Sequence, residues 1–220
     1  MPSNKLPELR PGQRAMVAGR TGMGKSTLGC WLLSRSNSHW LILNPKHTKS
    51  YQGLEDQNTI TSFDKKRVSQ SLEKHRFTIF NPENIESGVE YLDLIVEWLS
   101  ETYDNVGLCC DELYTMHKGN AQAGSGLIGW LTRGREKKQS FLGLTQRPRW
   151  ISQFIFSESD YIGSLDLTLN DDRKRMSELT GHDIFMERQE PYKWLWYDVA
   201  KDHIRKFGPV PVAPKTENGK

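Results

Sequence analysis

The chain has 220 residues, 36% of them apolar, with a mean hydropathy of −0.66, a formal net charge of +3 and three cysteines. That length suits one α/β domain with a small appendage, and no apolar run approaches the ~18 residues of a membrane-spanning helix. The opening MPSNKLPELRPGQR lacks the apolar core of a secretory signal, Cys30, Cys109 and Cys110 lack metal-ligand spacing and read as small buried residues of a reducing cytoplasm, and the slight positive charge is weak evidence for a polyanionic partner.

In chain order, Arg14–Gly19 (RAMVAG) is a short apolar run that predicts a first strand, and Ser26 to about Arg35 follows as a helix with Leu28, Trp31 and Leu32 on one face. Trp40–Leu43 is a compact strand closed by Asn44-Pro45, and 46–58 is polar and reads as loop with a short helix. Arg76–Phe80 is another strand, stopped by Asn81-Pro82. Residues 84–100 carry the clearest helical period, with Ile85, Val89, Leu92, Val96 and Leu99 on one face and Glu86, Glu90, Asp93 and Glu97 as an acidic stripe on another. Val106–Cys110 is a buried strand running into Asp111-Glu112. Then come a helix over about 125–137, a strand at Ser140–Thr145, a strand at Tyr161–Leu167 and a helix at Asp171–Leu179 ended by Gly181. Lys193–Tyr197 and His203–Phe207 flank Asp198–Asp202 and predict a β-hairpin. The expected organisation is a single domain over 1–208, its hairpin at about 192–208, and a loose tail at 209–220. Strands alternating with helices predict a doubly wound, mostly parallel sheet.

Gly19-Arg20-Thr21-Gly22-Met23-Gly24-Lys25-Ser26 matches GxxxxGK[ST] and sits between an apolar strand and an amphipathic helix, the context that pattern needs. Its glycines let successive N–H groups turn inward on phosphate oxygens, and the helix N-terminus adds partial positive charge. Lys25 is expected to reach the β- and γ-phosphates of ATP, Ser26 to ligate Mg²⁺, and Thr27 to line the α/β-phosphate region. Asp111, at the end of a buried strand, is expected to hold Mg²⁺ directly or through water, and Glu112 to polarise the attacking water. Such an acidic pair also serves as an ordinary strand-to-helix cap; the P-loop upstream favours the catalytic reading. Glu112 points to ATP hydrolysis, since small-molecule kinases and GTPases usually lack it, and Asn44-Pro45-Lys46-His47 resembles a guanine-reading NKxD segment only superficially.

Gln146 ends the strand expected beside the P-loop strand, where a polar side chain senses the γ-phosphate or caps a loop. Arg133 and Arg135 lie just upstream; were the helix to continue through Gly134, they would point roughly 200° apart. Either is a candidate arginine finger or part of a basic solvated helix end. The six cations Arg133, Arg135, Lys137, Lys138, Arg147 and Arg149 face one acid, Glu136, and form either a phosphate-facing patch or a solvated face.

Together GRTGMGKS, VGLCCDE and RGREKKQSFLGLTQRP resemble the FtsK–HerA superfamily of DNA-pumping ATPases, over roughly residues 12–181 and including the NDDRKRMSELTG helix. The resemblance implies a three-layer RecA-like (ASCE) P-loop fold, a sensor role for Gln146, and an arginine finger about eleven residues before it. That places the finger on Arg135, acting in trans, with Arg133 in reserve. Among these proteins the compact layout is similar to the genome-packaging ATPases of tectivirus-like, internal-membrane viruses. The implied function is an ATP-hydrolysing translocase of double-stranded DNA, working as a hexameric ring on a capsid's special vertex, in the virion and the host cytoplasm. Lys118, Lys137, Lys138 and Arg149 are candidate DNA contacts, and Lys118–Gly126 (KGNAQAGSG) reads as a pore loop or a plain connection. Alternatives are an assembly, secretion or DNA-extrusion motor, which would normally bring a membrane span, and, from another class, a P-loop small-molecule kinase.

Overall fold

The computed structural model describes residues 6–83, 88–118 and 122–212. β1 (Arg14–Ala18) leads into helix α1 (Lys25–Ser34), followed by β2 (His39–Leu43), β3 (Gln57–Ile60), α2 (Lys65–Lys74), β4 (Phe77–Phe80), α3 (Gly88–Thr102) and β5 (Val106–Cys110). A two-residue ribbon pairs β6 (His117–Lys118) with β7 (Gln122–Ala123). Then come α4 (Ser125–Arg133), β8 (Ser140–Thr145), α5 (Gln153–Ser157), β9 (Tyr161–Ser164), α6 (Asn170–Thr180), β10 (Trp194–Asp198) and β11 (His203–Phe207).

Nine strands form one sheet in the order β11-β10-β9-β1-β8-β5-β2-β4-β3. β3 through β9 along that order pair in parallel, and β10 and β11 close the edge antiparallel. The result is a RecA-like α/β fold with a C-terminal hairpin. Its central strands are buried along their whole length and mostly apolar because both faces are covered. On one face α1 packs Leu28, Trp31 and Leu32 with Tyr51, Leu54 and the hairpin's Trp194 and Trp196. On the other, α2 to α6 supply Val68, Leu99, Leu127, Ile155 and Met176.

β3 and α2 are among the elements that were not legible in the sequence, as are the short β6, β7 and α5. β3 (QNTI) carries no apolar run because it is the outermost strand. α2 has only Val68 and Leu72 on its buried face, yet Asp64 caps it by accepting the Arg67 N–H at 2.8 Å. The acidic stripe of α3 is also not uniformly solvated. Glu90 and Glu97 are exposed, whereas Asp93 is buried and accepts hydrogen bonds from Ser125 Oγ (3.1 Å), Gly126 N–H (2.9 Å) and Leu127 N–H (3.0 Å). It thus caps α4 from a neighbouring helix, and a Cβ at Gly124 would strike its carboxylate. Ile85 and Glu86 lie outside the described residues. α4 stops at Arg133, four residues short of the expected end, with Gly134 as its cap.

Candidate active site

The parallel arrangement gathers the carboxyl ends of β1, β8, β5 and β2 at one edge of the sheet, the place where open α/β sheets bind ligands. There the 19–26 loop wraps the start of α1. Gly24 holds φ at +88°, which a side chain would resist, and so turns the chain into the helix. The N–H groups of Gly22, Gly24, Lys25, Ser26 and Thr27 have no backbone acceptor among the described residues. That is a ring of unsatisfied donors at a helix N-terminus, built for phosphate oxygens. Arg20 lines the same cleft, of about 310 Å³, but its own groups are engaged. Its N–H donates to the Asp166 carbonyl (2.9 Å) and its Nε to the Asp166 carboxylate (2.7 Å).

Lys25 is buried, its Nζ 3.4 Å from Asp111 Oδ1 and 3.6 Å from Glu112 Oε1. Ser26 Oγ lies 3.4 Å from Asp111 Oδ2. Asp111 and Glu112 are both nearly inaccessible. Glu112 adopts φ 63°, ψ 60°, a left-handed conformation that costs a non-glycine residue ~1 kcal/mol or more. That turn aims its carboxylate at Lys25 and at Gln146, whose Nε2 donates to Glu112 Oε1. Gln146 Oε1 in turn accepts the Thr21 hydroxyl at 2.6 Å. Because β8 lies between β1 and β5, Gln146 spans from the phosphate loop to the glutamate. Glu112 Oε2 is buried with no hydrogen-bond partner among the described residues, the free acceptor that a water-polarising carboxylate needs.

Lys46 is a site residue that the sequence reading passed over. Its Nζ is 2.9 Å from Glu112 Oε1 and 5.7 Å from the Tyr114 ring centroid. Burial works to lower its pKa, but the hydrogen bond and charge of Glu112, together with Tyr114, outweigh burial and raise it. Asn44 places it: its carboxamide accepts the Thr48 N–H (2.9 Å) and donates to Asn81 (2.8 Å), closing the turn after β2. The available signal was an Asn-Pro-Lys turn directly after a central parallel strand.

Ser26 and Asp111 present two hard oxygen donors 3.4 Å apart beside Lys25, which fits Mg²⁺. Among the described residues no group of three or more His, Cys, Asp or Glu forms a metal cage, in keeping with an ion that takes its remaining positions from phosphate and water. The three cysteines are free and buried, with desolvation pushing the Cys30 thiol up to about 12.

The basic cluster of 133–149 is split by β8. Arg135 is 57% exposed and lies at the amino-terminal end of the sheet, its Nη2 3.1 Å from Asp160 Oδ1, and Asp160 bonds Arg14 at the start of β1. Six strand residues separate that end from Gln146, about 20 Å at strand rise, so Arg135 does not reach the phosphate loop of its own chain. Arg133 is exposed, with no ion pair among the described residues. Lys137 is tied to the Ser100 carbonyl (2.8 Å), and Lys138 is exposed near it. Arg147 and Arg149 sit at the opposite end, paired with Asp172 (3.0 Å) and Asp171 (3.2 Å) of α6. Of the candidate DNA contacts, Lys137 and Lys138 therefore lie at the opposite end of the sheet from Arg149. Lys118 falls in β6 and its side chain is outside the described residues, as are 119–121 of the candidate pore loop.

The loops that follow Glu112 and Gln146 touch one another. Tyr114 meets Trp150 edge to face at 6.1 Å, and Ser152 N–H donates to His117 Nε2 at 3.1 Å. The first part of the expected loose tail is not loose: Val210 is buried, its N–H donates to the Tyr192 carbonyl at 2.9 Å, and its side chain lies against Gly24. Residues 213–220 are outside the described residues.

No family model matches the chain. It is 28% identical over 213 residues to the DNA packaging ATPase P9 of Enterobacteria phage PRD1, covering 91% of this chain and 88% of that protein. Its fold is similar to the genome packaging NTPase B204 of Sulfolobus turreted icosahedral virus 2 bound to ATP-γ-S, with a TM-score of 0.73, 16% identity, and 90% and 98% of the two chains covered. It is also similar to VirB4 of Thermoanaerobacter pseudethanolicus, with a TM-score of 0.65, 10% identity, and 91% and 90% covered.

Proposed function

We propose that the chain is an ATP-hydrolysing motor that packages double-stranded viral DNA into a preformed capsid. The observation that carries this reading is Gln146, which bridges the open phosphate loop and the buried Glu112; the end-to-end similarity to a phage DNA packaging ATPase supports it. In the proposed cycle the free N–H groups of Gly22 and of 24–27 bind the triphosphate and Lys25 meets its β- and γ-oxygens. Ser26 and Asp111 would hold Mg²⁺, which would supply neutralising charge to those oxygens. Glu112 takes a proton from the water that attacks the γ-phosphorus, the bond from that phosphorus to the bridging oxygen breaks and ADP leaves, and Gln146, losing the γ-phosphate, shifts Arg147–Ser152 and with it His117.

Arg135 completes the site of the next subunit in a closed ring, which we take to be hexameric. The ring works at a capsid vertex, in the virion and the host cytoplasm, and grips DNA phosphates without reading sequence. Measuring inorganic phosphate release with and without double-stranded DNA tests the reading. DNA is expected to stimulate turnover, rising salt to weaken that effect, and Lys25→Ala to abolish it. An assembled, active ring indifferent to DNA would overturn translocation.

A further inference from the structure

A second surface borders the phosphate loop on the flank away from Glu112. The sheet order puts β8 and β5, with Gln146 and Glu112, on one side of β1, and β9, β10 and the chain's last described segment on the other. On that second flank the Tyr192 ring is 49% exposed, and its Cδ1 lies 3.5 Å from where a Cβ on Gly24 would stand. Val210 Cγ2 is 3.3 Å from the same point. Tyr192 holds φ at +63°, a left-handed conformation costly for an aromatic residue, so the ring is presented there at an energetic cost.

The wall is closed on itself at one place and clasped to the loop at another. The Tyr192 carbonyl takes the Val210 N–H. Asp166, buried, receives Arg188 through Nε (2.6 Å) and Nη2 (2.7 Å) and Arg20 of the phosphate loop through Nε (2.7 Å). The Arg188 guanidinium foremost, with Arg20 and against the effect of burial, holds the Asp166 carboxyl down to about 2, so this clasp stays charged throughout the neutral range.

We infer that Tyr192, backed by Val210, is the base subsite of the nucleotide and stacks on the flat face of the base. The inference rests on the proposed placement of the γ-phosphate at Glu112. A triphosphate so oriented runs across the N-terminus of α1, and its ribose and base leave toward the opposite flank, where Tyr192 stands. The ring supplies a π face and no base-edge code, so the ligand class is a nucleoside triphosphate held by stacking.

The test compares binding of ATP and of inorganic tripolyphosphate, which has no base, to the full chain and to its Tyr192→Ala and Tyr192→Phe variants. The full chain is expected to bind ATP more tightly than tripolyphosphate. Tyr192→Ala is expected to weaken ATP by roughly tenfold, the scale of one base–aromatic stack, and to leave tripolyphosphate unchanged; Tyr192→Phe retains ATP affinity. Equal losses of both ligands in Tyr192→Ala, or loss of neither, overturn the subsite. So does a parent chain that binds both ligands equally, which leaves the phosphate loop standing. A parent chain that binds neither overturns the phosphate loop as well.

Discussion

Glu112 and Lys46 show how much chemistry two side chains gain from backbone turns. Glu112 is aimed by a left-handed residue directly after β5, and Lys46 by an asparagine-locked turn directly after β2. The glutamate's place beside the phosphate loop was legible, because an acidic pair directly after an apolar parallel strand falls at the sheet edge that carries the loop. The lysine's was not, because only the parallel pairing of β2 with β5 brings 46 and 112 together. A cation 2.9 Å from Oε1 orients the carboxylate and leaves Oε2 for water. Lys46→Ala is therefore expected to lower kcat of ATP hydrolysis by about tenfold or more with a smaller change in KM, and Lys46→Arg to restore part of it, as measured by steady-state phosphate release.

At the scale of elements, α4 depends on a residue thirty positions upstream of it. Asp93 of α3 satisfies two N–H groups in the first turn of α4 and the Ser125 hydroxyl as well. Removing it leaves those donors buried and unpaired. Asp93→Ala is expected to cost about 2 kcal/mol of stability, read as a lower unfolding midpoint in denaturant. The helical period of 88–102 was plain in the sequence, but period alone assigned Asp93 to a solvated stripe. The contact that buries it comes from another helix. β3 and α2 went unread for the converse reason: an edge strand and a lightly buried helix need few apolar residues, so little pattern marks them.

At the scale of the whole molecule, the sheet separates what the sequence placed side by side. Arg135 and Gln146 are eleven residues apart, yet they occupy opposite ends of β8. A finger at Arg135, as we propose, would therefore have to act on a neighbouring subunit. Its tie to Asp160 is a half-exposed pair worth ~0–1 kcal/mol, a small obstacle to release. Arg135→Ala is expected to retain ATP binding and lose about 10³-fold in turnover. Mixing it with Lys25→Ala chains is expected to restore activity, because each variant supplies the half-site the other lacks; absence of recovery in mixed assemblies would refute action in trans. A cleft of about 470 Å³ at the amino-terminal end of the sheet near Asp160 holds none of the phosphate-loop residues. By itself the sequence determined the phosphate loop, the strand-end acids, the alternation of strands and helices and the C-terminal hairpin, because those depend on local spacing and on runs of apolar residues. Only the tertiary structure decided that Lys46 joins the site, that Arg135 leaves it and that Tyr192 and Val210 wall it. Each of those depends on which strands lie side by side, and strand order is set by packing across the sheet rather than by neighbours along the chain.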